Sequence, residues 1–192
     1  MFNTTIATQI YAKICFEATN SQKKIIENLS EYLSDDDFSR IFVLNGFAGT
    51  GKTTLIAALV AALKELRIKP VLLAPTGRAA KVLARYCGEQ ALTIHKRIYR
   101  QRTNADYESK FSLDFNREQG AVFIVDEASM LSDSTGDGAL FGSGSLLEDL
   151  VSYVRSGRSC RLILVGDSAQ LPPVGCDFSP ALDPATVSRY GE

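Results

Sequence analysis

The chain has 192 residues, 45% of them hydrophobic and 22% charged, with a formal net charge of −1. That length supports one well-buried domain and not two generous ones, and the composition is that of an ordinary globular protein, which excludes a disordered chain. The near-neutral total averages two unlike parts: Lys64 to Arg102 holds ten Lys/Arg and two Asp/Glu, a balance of +8, and the remainder carries −9. A basic block in an acidic protein suggests a surface that meets a polyanion, although solvated helix faces would give the same count. No apolar run reaches membrane-spanning length, and no internal repeat is visible.

The opening MFNTTIATQIYAKIC lacks a basic stretch ahead of a long apolar core, so no secretory signal is expected. Cys15, Cys87, Cys160 and Cys176 form no C-x-x-C pair. Free thiols in a reducing cytoplasm are the plain expectation, with neither a zinc site nor a disulfide framework.

In chain order, SQKKIIENLSEYLSDDD reads as an amphipathic helix, with Ser21 as N-cap and Ile25, Ile26, Leu29 and Leu33 as its apolar stripe. Four short runs follow: IFVLN at 41–45, PVLLA at 70–74, AVFIV at 121–125 and RLILV at 161–165. Each is apolar without strict alternation, as expected of strands covered on both faces of a parallel sheet. Helical patterns separate them at Lys52–Leu66, Gly77–Tyr86 and Leu146–Arg155, the last stopped by Gly157. Alternation of strand and helix predicts a doubly wound α/β domain. Residues 101–120 read as a polar excursion shaped like a β-hairpin, and 132–145 as a Gly/Ser-rich mobile loop.

Three strand ends carry the chemistry. After the first strand, GFAGTGKT (46–53) fits the phosphate-binding pattern G-x-x-x-x-G-K-[ST] and opens a helix. Gly46, Ala48, Gly49, Thr50 and Gly51 are small enough to let backbone N–H groups wrap a β-phosphate, with Thr54 in the helix start that adds partial positive charge. Lys52 is placed to reach β/γ oxygens, and the Thr53 hydroxyl to ligate Mg²⁺. After the third strand, Asp126 is the expected outer-sphere partner of Mg²⁺ and Glu127 the group that orients and deprotonates water. Adjacent acids at a strand end can also be a solvated turn. After the fourth, GDSAQLPPVG places Asp167 and Gln170 near the nucleotide, where Gln170 can sense a γ-phosphate and change partners once it leaves. An ordinary turn would read the same way.

GFAGTGKT, VDEAS and GDSAQLPPVG, in this order and spacing, resemble superfamily 1 helicases of the RecD-like, 5′-to-3′ branch, over about Thr19 to Gly175. The resemblance implies a RecA-like P-loop domain that couples ATP·Mg²⁺ hydrolysis to translocation on single-stranded DNA. It further implies that TNSQKKII holds a glutamine, Gln22, that reads adenine; a solvent-facing helix position is the alternative. LAPTGRAAKVL is similar to the segment that touches the strand, through Pro75, Thr76, Gly77, Arg78 and Lys81. LTIHKRIYR is similar to the block after it, with Thr93 and His95. A lone histidine beside an apolar patch can equally be structural. Phe47 either packs near the nucleotide or closes its loop.

On this reading residues 1–192 form one motor domain, with an N-terminal helical segment (1–40), a P-loop core (41–175) and a tail (176–192) leading to a second RecA-like domain that brings an arginine finger. Phe47-Ala48 replaces the Gly-Pro of many RecD-like proteins and leaves the sub-branch open. Two alternatives remain: a nucleotide-dependent DNA-binding or assembly subunit working with nuclease or recombination partners, and a small P-loop kinase, for which no acceptor lid is visible.

Overall fold

Five parallel strands, each too apolar for an exposed face, line up in a single sheet and leave their carboxyl ends along one edge. The computed structural model describes residues 2–15, 17–103, 109–133 and 141–190. The strands are β1 (Ile41–Asn45), β2 (Pro70–Ala74), β3 (Ala91–Thr93), β6 (Val122–Val125) and β7 (Arg161–Gly166), in the order β1-β7-β6-β2-β3. An antiparallel pair, β4 (Tyr99–Thr103) and β5 (Ser109–Leu113), forms the expected hairpin. Its connection, 104–108, and residues 134–140 of the expected Gly/Ser loop lie outside the described residues.

The interior strands β6 and β7 are buried at every position, whereas the edge strands β1 and β3 are largely half-buried. Alternate residues feed two cores. Phe123, Val125, Leu162 and Leu164 face one layer, and Val122, Ile124, Ile163 and Val165 face the other. On the second face lie α1 (Phe2–Lys13), α2 (Asn20–Ser34), α3 (Lys52–Glu65) and α4 (Gly77–Cys87). On the first lie α5 (Ile94–Ile98), α6 (Leu146–Ser156) and α7 (Pro184–Ser188). The molecule is therefore a doubly wound α/β layer structure, as its alternating pattern predicts.

Helix α1 is held by Ile6 and Ile10, one turn apart and fully buried against α2 and α3. Burying two such side chains contributes roughly 1.5–3 kcal/mol each. The cap of α2 differs from expectation. Thr19, not Ser21, is the N-cap: its hydroxyl accepts from the Gln22 N–H, and the Gln22 side chain accepts from the Thr19 N–H, a reciprocal capping box. Ser21 falls inside the helix because Asn20 already begins it. Within the tail, Ala181, Leu182 and Val187 are buried in the first core.

Candidate functional site

The register brings the three motif ends together. Asn45 pairs with Gly166 and Val125 with Leu164, and the Asp126 N–H donates to the Leu73 carbonyl at 3.0 Å. β7 lies between the P-loop strand and the acidic strand, so its exit loop sits between the two. The Gly46 N–H reaches the Gly166 carbonyl at 3.2 Å, and the Ser168 N–H donates to Asn45 Oδ1 at 3.0 Å. Asn45, unremarked in the sequence, thus pins one motif loop to the other.

Helix α3 begins unlike its neighbours. α2, α4, α5, α6 and α7 each have a Thr, Ser or Asp side chain that accepts from the first turn. α3 follows Gly51, which has φ of 85° and offers no side-chain cap. Gly49 also has positive φ, 79°; both positions require a conformation that side chains disfavour. The result is a helix start whose orphan N–H groups open onto a cavity, the arrangement that binds anions.

Lys52 folds over its own loop, donating to the Gly46 carbonyl and, at 2.8 Å, to that of Phe47. One cavity of about 360 Å³ is lined by Ala48, Gly49, Gly51, Lys52, Thr53, Thr54, Asp126, Glu127, Asp167 and Gln170, together with Tyr86 and Gly166. The carboxylates and the lysine therefore face a common space. Burial pushes the Asp126 carboxyl above its ordinary value, and the neighbouring Glu127 charge pushes the same way. The Glu127 N–H and Lys52 oppose that shift. Glu127 has φ of 56°, a left-handed turn that ends the strand abruptly and costs about 1–3 kcal/mol. Asp167 is nearly fully buried and accepts from the Ala169 N–H at 2.9 Å. Gln170 Oε1 accepts from the Ser129 hydroxyl at 2.9 Å, a partner that the sequence does not reveal.

A second cavity, about 620 Å³, opens on the other side of the P-loop. Its walls include Gln22, Gly46, Phe47, Thr50, Ile25 and Leu55. Phe47 is largely exposed there. The Gln22 amide donates to the Thr50 carbonyl at 3.2 Å while its oxygen serves the Thr19 cap, so both of its polar ends have protein partners.

The expected strand-contact residues divide. Thr76 caps α4, accepting from the Ala79 N–H at 3.2 Å, and lines a groove of about 320 Å³ with Arg78, Val82, Met130, Asp126 and Glu127. Pro75, Gly77 and Lys81 stand outside that groove. Thr93 caps α5, accepting from the Lys96 N–H at 3.2 Å, and its neighbour in the register is Ala74. His95 is half-buried, its ring centroid 5.6 Å from that of Tyr99 and 5.1 Å from that of Phe141, and burial holds its imidazole below the ordinary 6.5. Within the basic block, Lys64, Lys69, Arg97 and Arg100 pair with acids. Arg78, Lys81 and Arg85 have no ion pair among the described residues, and all three are exposed along α4.

Thr53 and Asp126 offer hard oxygen donors in one cavity with a phosphate-sized cradle beside them. That set suits Mg²⁺, which takes few protein ligands and completes its shell with phosphate and water. Among the described residues no helix is long and apolar enough to cross a membrane.

A family model described as an AAA domain matches residues 17–177. The ATP-dependent RecD2 DNA helicase of Deinococcus radiodurans is 30% identical over 154 residues, which cover 80% of this chain and 19% of that protein. The RecBCD enzyme subunit RecD of Mycobacterium tuberculosis is 35% identical over 70% of this chain and 24% of its own length. The ATP-dependent DNA helicase dda of phage T4 is 34% identical over 68% of this chain and 28% of its own. The chain thus spans well under a third of each of these relatives.

Proposed function

The chain belongs to the AAA domain family, as a RecD-like superfamily 1 motor domain with the RecA-like P-loop fold, and from that premise we propose that it binds and hydrolyses ATP to drive movement on single-stranded DNA. The observation that carries this is the single cavity shared by the uncapped start of α3, Lys52, Thr53, Asp126 and Glu127.

The N–H groups of residues 49–54 receive the β-phosphate, and Lys52 exchanges its carbonyl partners for β/γ oxygens. Thr53 and Asp126 hold Mg²⁺, which supplies charge neutralisation for the phosphates. Glu127 takes the proton of the attacking water, and its abrupt turn from the strand end aims the side chain into the cavity. Gln170 leaves Ser129 when a γ-phosphate is present and returns when it has gone. Gln22 meets adenine from the second cavity by releasing Thr50. Pro75, Thr76, Gly77, Arg78, Lys81, Thr93 and His95 form the strand side, at the same sheet edge as the hydrolytic groups.

Stepping needs a second RecA-like domain, proposed here as the partner that brings an arginine to the γ-phosphate. Such an arginine contributes on the order of 10³–10⁵ in rate in related sites. The loop carrying Gln170 exposes Leu171 (88%), Val174 (100%) and Phe178 (57%), an apolar surface suited to such a lobe. Movement in the 5′-to-3′ sense and a cytoplasmic setting belong to this reading. A second reading, a nucleotide-dependent subunit of a nuclease or recombination complex, draws support from the relative that is a RecBCD subunit.

Glu127→Gln in a protein with both lobes tests the chemistry. Hydrolysis should fall by roughly 10²–10⁴-fold with ATP still bound. Unchanged turnover removes Glu127 from the mechanism. For residues 1–192 alone, slow hydrolysis is expected, and brisk DNA-stimulated turnover would contradict the need for a second lobe.

A further inference from the structure

Helix α4 borders the acidic pair twice. Ala79 and Val82 line the groove that reaches Asp126 and Glu127, and Tyr86 lines the phosphate cavity that reaches the same carboxylates. Residues 79, 82 and 86 follow the three-and-four spacing of one helical stripe, so these contacts belong to a single face. The adjacent Cys87 thiol is pushed up to about 11 by burial and by the Asp126 charge, which places the end of α4 within electrostatic reach of that carboxylate.

Tyr86 differs from Tyr32, Tyr99 and Tyr190. Tyr32 donates to the Leu162 carbonyl at 2.9 Å, Tyr99 to Asp149 at 2.6 Å, and Tyr190 bonds Asp133. Tyr86 is 64% exposed, and its hydroxyl makes no hydrogen bond to any described residue. It shares its cavity with Glu127 and Gln170, whereas Gln22 and Gly46 line the other one. The phenol therefore stands at the acidic-pair end of the site, away from the cavity that Gln22 lines. A free O–H donor there faces the part of a nucleotide that is richest in negative charge.

We propose that Tyr86 donates its hydroxyl hydrogen to the terminal phosphate of the bound nucleoside triphosphate and so helps the site tell triphosphate from diphosphate. This deepens the nucleotide reading of the cavity and rests on it. The contact is formed with ATP and has no counterpart with ADP, so it reports hydrolysis to α4, the helix that also presents Arg78, Lys81 and Arg85.

The test compares Mg²⁺-dependent binding of ATPγS and of ADP by the full chain, as wild type, Tyr86→Phe and Tyr86→Ala, using equilibrium titration. Loss of one hydrogen bond to a charged oxygen should weaken ATPγS by roughly ten- to hundredfold in both variants, with ADP affinity unchanged. An ATPγS-to-ADP affinity ratio in Tyr86→Phe equal to that of wild type overturns the proposal. Equal weakening of both ligands also overturns it, because that marks a structural role. Failure of the unaltered chain to bind either nucleotide sinks both this contact and the reading beneath it, and is recognisable as such.

Discussion

Asp126 is a largely buried carboxyl whose ionisation works against the fold. Its carboxyl is held above the ordinary 3.8 chiefly by burial. A raised value means that the folded chain keeps this proton more tightly than the unfolded one. The carboxyl therefore favours the fold most below pH 3.8, and that contribution is lost as pH rises through its folded value. At neutral pH, without Mg²⁺, it is a buried charge with too few partners. Asp126→Asn keeps an oxygen for the Glu127 N–H and removes the charge. The variant should melt about 2–4 °C higher at pH 7 in the absence of metal and nucleotide, the shift that ~1 kcal/mol gives in a domain of this size. The gain should shrink as pH falls towards 4. A variant that melts no higher at pH 7 contradicts this account of the carboxyl. On the proposed function, stability and function pull apart here, because the carboxyl is placed to face a cation that arrives with a nucleotide.

Among the elements, α4 does the most connecting. One stripe of it borders the hydrolytic cavity, and Arg78, Lys81 and Arg85 project to solvent. In the basic block, Lys64, Lys69, Arg97 and Arg100 are occupied by Glu89, Glu118 and Asp114. The count of +8 therefore overstates the surface open to a polyanion, and α4 holds three of the six cations that remain. Each phosphate contact contributes a salt-dependence slope of about 0.7 on single strands. Arg78→Ala with Lys81→Ala should flatten the plot of log affinity against log salt by roughly 1.4 for any strand sequence. An unaltered slope would move the strand off this helix. β1 and β2 are legible to the residue, because strands that pack on a core at both faces read as apolar runs. The Thr19-x-x-Gln22 spacing carries the cap of α2, but Ser21 stands closer to the apolar stripe and is an equally good N-cap type. α1 leaves a weaker trace, because among its described side chains only Ile6 and Ile10 are buried, in a helix rich in threonine. β4 begins directly after α5, so nothing in LTIHKRIYR marks where helix turns to strand.

For the whole molecule, the decisive fact is strand order. The P-loop strand and the acidic strand are not neighbours; β7 lies between them and delivers Asp167 and Gln170 to the gap. Each motif is visible in the sequence as a pattern at a strand end, but the acidic pair and the GDSAQLPPVG loop read equally well as turns until the sheet brings them to one cavity. The links between motifs were not visible. Ser129 with Gln170, Asn45 with Ser168, and Tyr86 beside the acids depend on sheet order and helix phase, which no local pattern encodes. His95 illustrates the reverse: its sequence context suggests a strand contact, and in the fold it also packs between Tyr99 and Phe141. Together these ties make a lobe in which the P-loop cavity, α4 and the Leu171–Phe178 surface share one edge of one sheet.

The central claim is that the α3 start, its lysine and the acidic pair grip one Mg²⁺-bound triphosphate. Equilibrium titration of the chain with ATPγS and Mg²⁺, in wild type and Lys52→Ala, tests it most directly. The account predicts saturable one-site binding in wild type and a loss of roughly tenfold or more in the variant, the effect of removing a hydrogen bond between charged groups. Equal affinity in the two proteins would contradict it.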